Sequence, residues 1–179
     1  MKLSLRKEEI LRCIERESSL AASGTSGGSS YELLLATPED GIALEGNWRS
    51  ALNELYALLG EHIQSRTHSE DLSEYDPSEL VEIEIGVSNH FNDLLEGSLQ
   101  DSVKEYIANA MLAGWYASKD SATSELFSKR EDGCALRIAT LLNTNHPPSA
   151  SCGLQPTPYE PIAIKPFEHE RNKHTNRSC

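Results

Sequence analysis

The chain has 179 residues, with 28 Asp and Glu against 16 Lys and Arg and a formal net charge of −12. That length suits one domain with appendages, and the acid excess argues against a protein that grips nucleic-acid phosphates across a broad face, though not against one past which DNA slides. No apolar run approaches the ~20 residues of a membrane span. Residues 1–9 begin basic and turn acidic where a signal peptide would be apolar. Cys13, Cys134, Cys152 and Cys179 show no CxxC spacing and read as reduced thiols, so the expectation is a soluble, intracellular protein.

Residues 7–22 predict a first helix with a narrow apolar stripe, Ile10, Leu11 and Ile14, which needs a partner surface. The Gly/Ser-rich stretch 23–30 reads as a flexible linker, so segment 1–22 is expected to be tethered to the body and able to dock on a neighbouring subunit. A second helix is signalled by Thr37 as N-cap, Pro38 at the first helical position, and Glu39 and Asp40 at the positive end of the dipole. Its stripe of Trp48, Leu52, Leu55, Leu59 and Ile63 predicts a helix running to about residue 65, weakened locally at Gly41, Gly46 and Gly60.

Residues 66–79 read as a polar loop containing Pro77. A strand near 80–88 follows: Val81, Ile83, Ile85 and Val87 alternate with Glu82, Glu84, Gly86 and Ser88, one face apolar and the other acidic. A lone strand cannot satisfy its backbone, so a mate is expected from residues 88–91 or from another subunit. A third helix is predicted over 95–119, with Leu99, Val103, Tyr106, Ile107, Ala110, Met111 and Gly114 on one face. A fourth runs from about 121 to 143, with Phe127, Cys134, Ile138, Leu141 and Leu142 on its buried side, and Pro147-Pro148 stops it. Residues 147–179 hold six of the eight prolines and read as an extended arm. The expected fold is thus mainly α: a body over 31–146 with three main helices and one short strand or hairpin, a tethered N-terminal helix, and a C-terminal arm.

Patterns that invite chemistry are weak. His169 and His174 are five apart, which points two helical ligands to different faces. Gly27-Gly28 has neither a preceding strand nor a following Lys-Ser/Thr, so it is no phosphate loop. Glu82 and Glu84 read as a solvated strand face, and Trp48 and Trp115 as core. No catalytic, cofactor-binding or metal-binding residue is expected. The candidate residues are instead interaction residues. Tyr159, Ile162, Ile164 and Phe167, with Arg171 and Lys173, are apolar and basic positions in the arm suited to a partner groove. Val81, Ile83, Ile85, Ile10, Leu11 and Ile14 are expected at a subunit interface.

The order of the segments KEEILRCIERESS, YELLLATPEDGIALEGNWRSALNEL, VEIEIGVSNHF, LQDSVKEYIANAMLAGWYASK and ELFSKREDGCALRIATLLN resembles the small helical head–tail connector (neck or adaptor) proteins of tailed bacteriophages, especially the Bacteroides-phage type. The alanine-rich helix over 106–119, ending in Trp115-Tyr116, carries most of the likeness, which covers residues 7 to 143. The resemblance implies a virion structural protein, not an enzyme, with no cofactor. It would form a ring of itself, commonly a dodecamer, at the head–tail junction, after assembly in the host cytoplasm. Its partners would be the portal protein above and a tail or further neck protein below, with DNA as passing cargo and no membrane. Two other classes stay open at this point: a cytosolic helical interaction protein outside the virion, and an enzyme built from unremarkable residues.

Overall fold

The computed structural model of the protein describes residues 1–23, 34–37, 40–67, 76–87 and 91–144. Their elements, in chain order, are β1 (Lys2–Arg6), α1 (Lys7–Ser23), α2 (Gly41–Leu59), β2 (Ile63–Thr67), β3 (Leu80–Ile85), α3 (Glu96–Tyr116) and α4 (Ser121–Leu142). Short 3-10 turns at Gly60–His62 and Asp93–Leu95 lead into β2 and α3. The fold is mainly helical, as expected, with four helices and a small sheet among the described residues.

The sheet corrects the expectation of a single strand awaiting a foreign mate. It has three antiparallel strands in the order β1-β3-β2, so β3 has a mate on each side within the chain. The β1 register sets Leu3 opposite Ile83 and Leu5 opposite Val81. These apolar pairs share one face, and all four residues are fully buried together with Ile85. The other face carries Glu82 and Glu84, the latter exposed. Lys2 pairs with Glu82 at 2.8 Å, and the Ser65 hydroxyl donates to Glu84 at 2.8 Å.

β2 also replaces an expected continuation of the second helix. Ile63 lies in phase with Leu59, but Gly60 adopts φ +48°, a conformation that a side chain disfavours, and its N–H bonds Tyr56 O. The helix ends there, and Ile63 enters the sheet opposite Ile85. The start of α2 shifts as well. The expected cap, Thr37, stands outside the helix. The Asp40 carboxylate accepts from the Thr37 N–H at 2.9 Å and from its hydroxyl at 2.8 Å, clasping one turn before Gly41.

α1 is not a tethered appendage. β1 runs directly into it, and Ile10, Ile14, Ser18 and Ala22 are buried along one side. Ser18 Oγ accepts the Ala36 N–H at 3.1 Å, and the Tyr116 hydroxyl donates to Leu34 O at 3.0 Å, tying α1, the segment before α2 and the end of α3 together. α3 is the central helix, packing against α1, α2, α4 and β1. Eleven of its 21 residues are buried, so it shows a wide apolar surface where α4 shows one stripe, Phe127, Cys134, Ile138 and Leu142. Asp120 caps α4 by accepting from the Ala122 N–H at 3.1 Å and the Thr123 hydroxyl at 2.6 Å. Tyr116 and Phe127 stack across the turn, with centroids 5.7 Å apart.

Candidate interaction surfaces and a buried ion cluster

Of the expected interface residues, Val81, Ile83, Ile85, Ile10 and Ile14 are corrected to the chain's own core, where each is at most 2% exposed. Their apolar pattern is answered by β1, α1 and α3 of the same chain, so they offer no surface to a neighbour. Leu11 differs. It is half-buried and lines a cleft of about 250 Å³ with Ile14, Ala36, Leu44 and Pro77. Tyr159, Ile162, Ile164, Phe167, Arg171 and Lys173 lie outside the described residues. Trp48 and Trp115 are in the core, with the Trp115 indole N–H donating to Leu34 O at 3.0 Å.

The sequence reading missed the most polar feature of the interior. Lys7 opens α1 and its backbone extends the sheet ladder, donating to Glu79 O at 3.1 Å. Its side chain is 1% exposed and pairs with Glu45 on α2 and with Glu79 at 3.2 Å. Glu79 also accepts from the Trp48 indole N–H at 3.1 Å, and Arg49 Nε contacts Glu45 at 2.7 Å. The Lys7 ammonium stands 5.6 Å from the Trp48 ring centroid. Two carboxylates meet two cations here, which is the condition for tolerating buried charge. The cluster fastens the sheet to α2. One signal could have found it: position 7 continues the inward phase of Leu3 and Leu5.

Two polar grooves flank α3. Between α1, α3 and α4 a groove of about 470 Å³ is lined by Cys13, Arg16, Glu105, Arg130, Cys134 and Arg137. Its guanidinium groups are engaged: Arg137 meets Glu105 at 2.8 Å, while Arg16 and Arg130 meet Glu17 at 3.3 and 3.7 Å. Burial pushes both thiols above the usual cysteine range, so they are protonated and weakly nucleophilic at neutral pH.

On the other side, α2, α3 and α4 enclose a groove of about 280 Å³ containing Asn47, Glu54, Gly114, Ser128 and Glu131. Asn47 lies so close to Gly114 that a Cβ there would come within 2.8 Å of its Oδ1. Burial raises the Glu131 carboxyl above its ordinary value; the Tyr106 hydroxyl, hydrogen-bonded to it, works in the opposite direction, and nearby Glu54 and Asp132 raise it further. Burial likewise raises Tyr106 strongly, helped by the charge of Glu131. A carboxyl raised in the folded state favours folding below its unfolded value, and that benefit is lost as pH rises through the folded value. Glu131→Gln should therefore raise the melting temperature at pH 7–8 by about 1–3 °C and make no difference near pH 4, as read by thermal denaturation across pH. An equal rise at both pH values would mean that Glu131 does not titrate in the fold.

Among the described residues no group of three or more His, Cys, Asp or Glu is placed to hold a metal ion, and no helix is long and apolar enough to cross a membrane. Comparison with known proteins finds no matching family model, no matching curated protein and no matching solved structure.

Proposed function

We propose that the protein is a head–tail connector of a tailed bacteriophage, a ring-forming structural protein below the portal that extends the DNA channel and docks the tail. The observation that carries this reading is the distribution of charge. Residues 155–179 hold four Lys and Arg against three Asp and Glu, which leaves a net −13 on residues 1–154. In the body, β3 turns Glu82 and Glu84 away from the core. An acidic lining repels phosphates and keeps a passing genome from sticking.

Because α1 and β3 are satisfied within the chain, the ring must close through other surfaces. The Leu11 cleft and the C-terminal residues Tyr159, Ile162, Ile164 and Phe167 supply apolar groups for this. Arg171 and Lys173 carry charge opposite to the body of a neighbouring subunit, of the portal or of a tail protein. The self-contained core also favours a second reading, a monomeric or dimeric adaptor that acts outside the virion. Quantitative mass spectrometry of purified particles separates the two. A copy number equal to that of the portal is expected for the connector; absence from particles, with a monomeric mass in the cell, would establish the adaptor.

A further inference from the structure

The two edges of the sheet are finished differently. Met1 and Ile85 exchange backbone hydrogen bonds, and Lys7 continues the same alternation, so Leu3 and Leu5 face β3 while the backbone groups of Lys2, Ser4 and Arg6 point out of the sheet. The middle one of these is closed. Gln100, in the first turns of α3, accepts from the Ser4 N–H at 3.0 Å and donates its amide to Ser4 O, doing with one side chain what a fourth strand would do.

Among the described residues the β2 edge has no such clasp. Its ladder to β3 uses Ser65 opposite Glu84 and Thr67 opposite Glu82, after an irregularity between Ile63 and Ser65. Arg66 between them turns its N–H and C=O to the open side. Residues 65–67 are exposed, and among the described residues no side chain is bonded to this edge. Arg66 extends its guanidinium over the Tyr56 ring at 4.6 Å.

We infer that the β2 edge accepts residues 162–165 of a second copy as a fourth strand. This rests on the ring reading above for the choice of a second copy. Of the segments outside the described residues, 162–165 alone sets β-branched residues at alternate positions, Ile162 and Ile164. Pro161 and Pro166 bracket it and lack the N–H that a central strand must donate, which restricts the segment to an edge. Its four residues match what the edge offers, since Ser65 and Thr67 are committed to β3 and Arg66 turns one N–H and one C=O outward for exchange. The segment also has the reach. α4 returns antiparallel to α3, as the Ser124–Ala113 and Arg137–Glu105 contacts show, so Thr144 lies at the end of the bundle where Gln100 meets β1. The 18 residues onward to Ile162 span up to ~60 Å when extended, enough to cross to another subunit.

The test places a benzophenone amino acid at Gln64 in the full chain, mixes equal amounts of ¹⁴N- and ¹⁵N-labelled protein, and maps the photo-cross-links by mass spectrometry alongside the sedimentation of the same sample. Cross-links to residues 159–167 are expected, with mixed-label pairs as frequent as same-label pairs. Ile164→Pro, which removes one N–H, should reduce them about tenfold, and Ile164→Val should not. Cross-links between two β2 edges, same-label pairs alone, or indifference to Ile164→Pro would each overturn the docking. A closed ring without the cross-link overturns the docking and keeps the ring. Mixed-label cross-links in dimers or open chains keep the docking and remove the ring, and a monomer without mixed-label products overturns both.

Discussion

A chain lacking residues 1–6 should fail to fold. Leu3 and Leu5 are fully buried, and each contributes ~1.5–3 kcal/mol by leaving water. Their removal also strips β3 of one partner along its whole length and leaves Gln100 without the Ser4 backbone it clasps. Together these losses approach the ~5–15 kcal/mol by which a domain is stable at all. Urea denaturation followed by near-UV circular dichroism should show no cooperative transition. Lys2→Ala, which breaks only the exposed pair with Glu82, should cost at most ~1 kcal/mol. If the truncated chain melts like the full one, α2, α3 and α4 carry the fold alone, and the N-terminal segment is the appendage that the linker suggested.

Lys7→Met should destabilise the protein by ~3–5 kcal/mol, although methionine fills nearly the same space. The loss comes from what stays behind. Arg49 still faces Glu45, but Glu79 keeps its charge in the interior with the Lys7 ammonium gone. The origin can be separated by adding Glu79→Gln. If the damage is the loss of the carboxylate's lysine counter-charge, the double variant recovers much of the lost stability. If it is lost packing around Trp48, the second substitution recovers nothing. Chemical denaturation of the three proteins distinguishes these outcomes.

α3 and α4 were legible because they are long, periodic and punctuated. The expected 95–119 and 121–143 differ from Glu96–Tyr116 and Ser121–Leu142 only at their ends. β1 carries two apolar residues in five, and its partner lies some eighty positions away, so no local window holds its signal. β2 is hidden twice, by Ile63 in phase with the preceding helix and by the irregularity that breaks its alternation. For Val81, Ile83, Ile85, Ile10 and Ile14, alternation and helical spacing reported burial correctly but could not say which chain does the burying. That distinction lives in tertiary contact alone. The Lys7 cluster escaped for a related reason, because a single lysine near a chain start looks like any surface charge until Glu45 and Glu79 are brought to it.

The eighty-residue separation between β1 and its partner also sets a timetable. α3 and α4 are joined by four residues and can zip together as soon as both exist. Residues 2–6 must wait for residues 80–84, and closing so long a loop costs about 2–3 kcal/mol more entropy than closing the short one. Contacts of that range are the slow ones in folding. During synthesis β1 emerges before its partner and idles, with Leu3, Leu5 and the Lys7 ammonium in water, until β3 and then Gln100 arrive. β1, made before its partner, is therefore among the last elements to become native, and α1, joined to it without a break, settles with it.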